Sequence, residues 1–128
     1  MNNIFGIGTD LIDISRMKKL LNKNKKFINR IFSAKEIKYC ESQSNKTASY
    51  SKRFAAKEAF AKALGIGISK GISFNEISIS NTKDGAPYIE LLGITKSIVK
   101  NLTKKKNKFY LSLSDEKKYA IAMVIISS

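Results

Sequence analysis

The sequence predicts an α+β domain in which helices of the N-terminal half pack on a small antiparallel sheet. Three observations carry this expectation. The longest helical pattern, residues 46 to 64, lies in the first half, whereas alternating strands separated by turn residues dominate the second. The closing run YAIAMVII is apolar on both faces and suits a central strand. Helices first and antiparallel strands later argue against a doubly wound sheet. A chain of 128 residues is near the modal domain size, so residues 1–128 are expected to form a single domain with one core.

Taken in order, NIFGIG at 3–8 reads as a short strand. Its glycines mark a bend or a close backbone approach, and Asp10 stands just past its end. Ser15 is a good N-cap for a helix through Met17, Leu20 and Leu21, after which a lysine-rich stretch fades into loop. Ser33 and Glu36 have capping-box spacing and open a second helix to about Tyr39. The polar SQSNKTAS leads into the strongest helix, closed by Gly65 where a left-handed C-cap belongs. The following GIGISKG, 65–71, lacks the spacing and Lys-Ser/Thr ending of a P-loop and reads as a flexible connection. Phe74, Ile77 and Ile79 mark a strand, Asp84-Gly85 a turn, and Tyr88 to Leu92 a returning strand after Pro87. Ile94, Ile98, Val99 and Leu102 recur at helical spacing on a basic helix. Phe109, Leu111 and Leu113 then alternate with Tyr110, Ser112 and Ser114, and DEKK turns the chain into its last strand.

Composition narrows the function. Hydrophobic residues at 43% and charged ones at 27% are ordinary for a soluble protein, and no run approaches the roughly 18 apolar residues of a membrane span. The start MNNIFGIG has no signal-peptide character, so a cytoplasmic location without membrane contact is expected. One cysteine and no histidine exclude an internal disulfide, Cys/His metal sites and His-based triads. A net charge of +14, concentrated in runs such as Lys23 to Lys26 and Lys104 to Lys108, attracts anions. Nucleic acid, acidic proteins and polyphosphate cofactors all fit that charge. A basic nucleic-acid-binding domain is the alternative function, although no recognition-helix pattern or cluster of base-stacking aromatics supports it. A non-catalytic interaction module is a third reading.

The chemistry concentrates in RFAAKEAFAK, residues 53–62. Four-residue spacing aligns Phe54, Glu58 and Lys62 on one helix face, while Ala55, Ala59 and Ala63 let another backbone approach. Alone, Glu58 and Lys62 are better explained as a solvated helical pair worth about 0.2–0.5 kcal/mol. Asp10 adds a second carboxylate, rare in a chain with only 10 acidic residues. Together Asp10 and Glu58 offer two hard oxygens to Mg²⁺, which keeps waters and takes its other ligands from substrate phosphates. By itself Asp10 fits a turn or capping aspartate as well.

GIGTDLIDISR, 6–16, and RFAAKEAFAKALG, 53–65, resemble the two signature motifs of holo-[acyl-carrier-protein] synthases, the short type of 4′-phosphopantetheinyl transferase. DGAPYI at 84–89 and LSLSDEKKYAIAMVI at 111–125 lie where that family has similar segments, so the resemblance covers nearly the whole chain. It implies a 4′-phosphopantetheinyl transferase-like fold and transfer of phosphopantetheine from coenzyme A to a serine of apo acyl carrier protein in fatty acid biosynthesis. It further implies Asp10 and Glu58 as Mg²⁺ ligands, and Asp10, Glu58 and Lys62 as the catalytic set. The serine proton passes to a carboxylate or to a water on the ion. Coenzyme A contacts carried over are Arg53, Phe54, Lys62, Gly65, Gly85 and Pro87. For carrier docking on the helix after the first motif the candidates are Arg16, Leu20, Lys26 and Phe27, with a solvated basic face as the other reading. The resemblance also implies a homotrimer with sites between subunits, and the apolar faces of the late strands exceed what the short helices cover. Many members carry a histidine after the SxS of the last block; this chain has Asp115.

Overall fold

The computed structural model describes residues 3–66, 70–104 and 106–128. Strand β1 (Ile4–Asp13) leads into helices α1 (Ile14–Lys23), α2 (Lys25–Ile31), α3 (Ala34–Glu41) and the long α4 (Lys46–Leu64). A 3-10 turn at Phe74–Glu76 opens the hairpin β2 (Ile77–Asn81) and β3 (Pro87–Leu91). Helix α5 (Gly93–Thr103) and the strands β4 (Lys108–Asp115) and β5 (Tyr119–Ser127) complete the chain. This is the predicted α+β class, with two antiparallel sheets instead of one: a three-stranded β1-β5-β4 and a two-stranded β2-β3.

Strand β5 is central, as its two-sided apolar pattern predicts, and its two faces differ. Ala120, Ala122, Val124 and Ile126 are wholly buried against α4, whereas Ile121 and Met123 point outward and are exposed. The register pairs Asp10 with Ala122, Gly8 with Val124 and Gly6 with Ile126, so Gly6, Gly8 and Asp10 share the face turned to α4.

That face explains the glycines. A Cβ built on Gly8 would lie 1.9 Å from the Ala59 carbonyl oxygen, and one on Gly6 1.8 Å from that of Ala63. With alanines at 55, 59 and 63 on the helix and glycines on the strand, the two backbones touch without intervening side chains. The sequence expectation of a close approach is met, but not the strand's end: β1 continues to Asp13, and Asp10 lies inside it.

Other boundaries shift for local reasons. Asp13, not Ser15, caps α1, its carboxylate accepting from the Ser15 and Arg16 amides. The lysine-rich stretch expected to be loop forms α2, capped by Asn24 through the Lys26 amide. Phe27 and Ile28 turn inward there and pack on the small cluster of Phe32, Cys40 and Tyr50, which supplies the tertiary support a seven-residue helix needs. Phe74 lies in the 3-10 turn, and the strand begins at Ile77. Gly67, Ile68 and Ser69, the middle of the expected flexible connection, fall outside the described residues.

The capping box at Ser33 and Glu36 forms as predicted, and Glu36 does more than cap. It is fully buried; Oε1 accepts from the Ser33 amide at 2.9 Å and from Lys57 Nζ at 2.6 Å, and Oε2 accepts from the Ile79 amide at 3.1 Å. Lys57 is equally buried and also donates to the Phe74 carbonyl at 2.9 Å and to the Ile77 carbonyl. One buried pair thus ties α3, α4, the 3-10 turn and β2 together.

Candidate active site

The backbone contact between β1 and α4 sets two carboxylates beside one another. Asp10 comes from the strand and Glu58 from the helix, one turn before Lys62. Lys62 Nζ donates to Asp10 Oδ1 at 3.1 Å and to the Thr9 carbonyl at 2.9 Å. Asp10 is only 14% exposed, and its other oxygen, Oδ2, is buried without a hydrogen-bond partner. Exposed ion pairs contribute about 0–1 kcal/mol at most, so the half-exposed Lys62 is not held there chiefly for stability.

Glu58 reports the same crowding. Its carboxyl titrates above the usual range, first because it is withdrawn from water and second because the Asp10 charge opposes its ionisation; Lys62 acts the other way. An orphaned carboxylate oxygen beside a second, reluctant carboxylate is a donor set that a hard divalent cation would satisfy. No cluster of three or more Asp, Glu, Cys or His that would close an all-protein cage occurs among the described residues. The pair therefore suits an ion that takes most of its ligands from water and phosphate.

A cleft of about 500 Å³ opens beside Glu58, walled by Phe27, Arg30, Phe54, Ile72, Phe74 and Asn75. Phe54 is fixed between Phe27 and Phe74, with ring centroids 6.1 and 6.0 Å away. The cleft thus has a charged end at Glu58 and an aromatic body.

The other candidates divide into two groups. Arg53 is buried: it stacks on Tyr39 with the guanidinium carbon 4.1 Å from the ring centroid, and donates to Ser49 Oγ at 3.3 Å and Asn81 Oδ1 at 2.6 Å. Asn81 in turn donates to the Gly85 carbonyl at 3.0 Å, so Arg53 is linked to the turn that carries Gly85 and Pro87. Gly85 has φ +92° and Gly65 φ +75°, left-handed values that suit glycine at a turn and at the α4 C-cap. Arg16 and Leu20 are exposed on α1, Lys26 is exposed on α2, and Phe27 points into the cleft. Asp115 pairs with Lys52 at 3.2 Å, bracing β4 against α4.

Sequence reasoning missed Arg30, Tyr39, Asn81 and the Glu36–Lys57 pair. Arg30 lies on the helix read as loop. A capping-box glutamate is ordinarily solvated, so nothing local marked Glu36 as buried; the only signal was that Lys57 sits among alanines.

Comparison with known proteins gives this geometry its class. Residues 6–124 match the family model of the 4′-phosphopantetheinyl transferase superfamily. A holo-[acyl-carrier-protein] synthase of Pelagibacter ubique is 46% identical over 124 residues, covering 96% of each chain. The crystal structure of holo-[acyl-carrier-protein] synthase from Neisseria meningitidis superposes with a TM-score of 0.87 at 34% identity, over 97% of this chain and 98% of that one. That of the Helicobacter pylori synthase in complex with coenzyme A gives 0.80 at 33% identity, over 94% and 98%. The chain belongs to the 4′-phosphopantetheinyl transferase superfamily and, within it, to the holo-[acyl-carrier-protein] synthases. It is a transferase, and the nucleic-acid-binding alternative is not favoured.

Proposed function

We propose that this chain, as one domain spanning residues 1–128, transfers 4′-phosphopantetheine from coenzyme A to a serine hydroxyl of apo acyl carrier protein. Adenosine 3′,5′-bisphosphate leaves, and the modified carrier serves fatty acid biosynthesis in the cytoplasm. No described helix is long and apolar enough to cross a membrane. The single observation that carries the reading is the unpartnered Asp10 Oδ2 beside Glu58 and Lys62.

Asp10 and Glu58 would hold Mg²⁺. When bound, the ion would stabilise negative charge growing on the 5′-phosphate of the departing adenosine 3′,5′-bisphosphate. Lys62 adds a fixed cation at the same place; its ammonium is anchored to a backbone carbonyl and needs little reorganisation as charge develops. The aromatic cleft beside Glu58 suits the apolar, amide-linked pantetheine arm and keeps water away from the carboxylate. Arg53 and Asn81 brace the Gly85–Pro87 turn, and we assign that turn, together with Phe54 and Gly65, to the coenzyme. Exposed Arg16 and Lys26 supply cations, and exposed Leu20 and the cleft-wall Phe27 supply apolar groups, the chemistry an acidic carrier helix recognises.

A homotrimer with sites shared between copies completes the proposal. Its support is the outer face of the three-stranded sheet, where Ile7, Leu11, Tyr110, Ile121 and Met123 are all exposed on cross-strand neighbouring positions.

Incubation with apo carrier protein, coenzyme A and Mg²⁺ should add the mass of one phosphopantetheine to the carrier in a mass spectrum. Glu58→Gln should fold normally yet lower the rate by about 10²-fold or more. Unmodified carrier with the wild-type chain, or full activity in the variant, would overturn the assignment.

A further inference from the structure

A cavity of about 790 Å³ lies away from Asp10 and Glu58, between β3, α5 and the start of β4. Leu91, Val99 and Phe109 floor it, and Lys96, Lys100, Lys104 and Lys106 line it. The Phe109 ring is held edge-on by Phe60 at 5.1 Å, so the floor is rigid. Lys96, Lys100 and Lys104 follow at four-residue spacing, a row along one edge of α5 with steps of roughly 6 Å.

Nothing in α5 itself accounts for this row. The helix dipole explains cations near the C-terminal end, but Lys96 stands in the first turn, where positive charge opposes the dipole; Glu76 caps that end through the Ile94 and Thr95 amides and makes no ion pair with Lys96. Lys104 is the one described non-glycine residue with positive φ, +54°, at a C-cap that glycine would occupy without strain. None of the four lysines pairs with a described carboxylate. Glu90, the single acid in the lining, lies 4.0 Å from Lys35.

We propose that this cleft is a second ligand site, for a nucleotide-sized organic polyanion with two or more phosphate groups. Its volume is in the range of small-molecule sites. The lysine row acts as a set of mobile point charges for phosphates spaced along the helix, and the apolar floor takes the flat body. It shares no residue with the cleft beside Glu58.

The test uses the full-length, isotope-labelled chain saturated with coenzyme A, so that the first site is filled, and follows backbone amide signals by NMR during titration with ATP. Signals of residues 93–109 should move with saturable binding. The double variant K96E/K100E should weaken that binding by about tenfold or more while carrier modification stays unchanged. Should the variant fail to fold by circular dichroism, K96Q/K100Q replaces it with the same expectation. Tripolyphosphate should bind more weakly than ATP, because it leaves the floor uncovered. The proposal is overturned if millimolar ATP leaves these signals in place or if the double variant binds as well as wild type. It also fails if tripolyphosphate equals ATP, which would mean unspecific anion attraction. An acidic peptide that moves the signals when ATP does not would make the cleft a protein contact instead.

Discussion

Glu58 and Lys57 are neighbours in sequence and opposites in setting. Glu58 is half-buried with its titration raised by burial and by Asp10. A raised carboxyl costs the fold nothing below its unfolded value of 4.5 and opposes folding once pH passes the folded value. At neutral pH without Mg²⁺, Glu58→Gln should therefore melt higher than wild type. Added Mg²⁺ should raise the wild-type melting temperature more than the variant's, as differential scanning fluorimetry would show. Lys57 is lowered from 10.5 to about 8, chiefly by burial, with Glu36 pulling it back up. Between those values the folded chain has shed a proton that the unfolded chain keeps, so unfolding takes one up and this group makes stability rise with pH. Because the raised Cys40 and Tyr50 pull the other way in both chains, urea midpoints from pH 8 to 10.5 should rise in wild type relative to the Glu36→Leu/Lys57→Met pair, which has no buried charge there. Lys57→Ala alone strands Glu36 and should cost about 3–5 kcal/mol.

At the scale of elements, β1 and α4 depend on absent side chains. Gly8→Ala sets a methyl group against the Ala59 carbonyl and should cost about 1–3 kcal/mol or more, measured by denaturant unfolding, with transfer activity lost as Asp10 is pushed from Glu58. Much of this was legible beforehand. Paired glycines opposite an alanine row announce a close approach, and Gly65 announces the end of α4. What the sequence hid came from tertiary support. α2 has only seven residues and opens on two lysines, and it is helical because Phe27 and Ile28 find the cluster of Phe32, Cys40 and Tyr50. The extra length of β1 arises from pairing with β5 through Asp13, which no local pattern shows. The meeting of Asp10 with Glu58 follows from the backbone contact of β1 with α4, which a separation of 48 positions in the chain does not reveal.

For the whole molecule, the open question of surface is the outer face of β1-β5-β4. A sheet with Leu11, Ile121 and Met123 exposed is expected to be covered by further copies. The double change Leu11→Asp and Ile121→Asp should leave a folded monomer by light scattering and depress transfer if sites are shared. The inner face behaves differently. Because Gly6 and Gly8 rest directly on the Ala63 and Ala59 carbonyls, the spacing of the two carboxylates is written in main-chain atoms alone. Repacking the aliphatic interior, whether by natural drift or by a laboratory library, would move hydrocarbon around that ruler without resetting it. Inherited variation should accordingly be tolerated among the aliphatic core side chains while Gly6, Gly8, Ala59 and Ala63 stay constant.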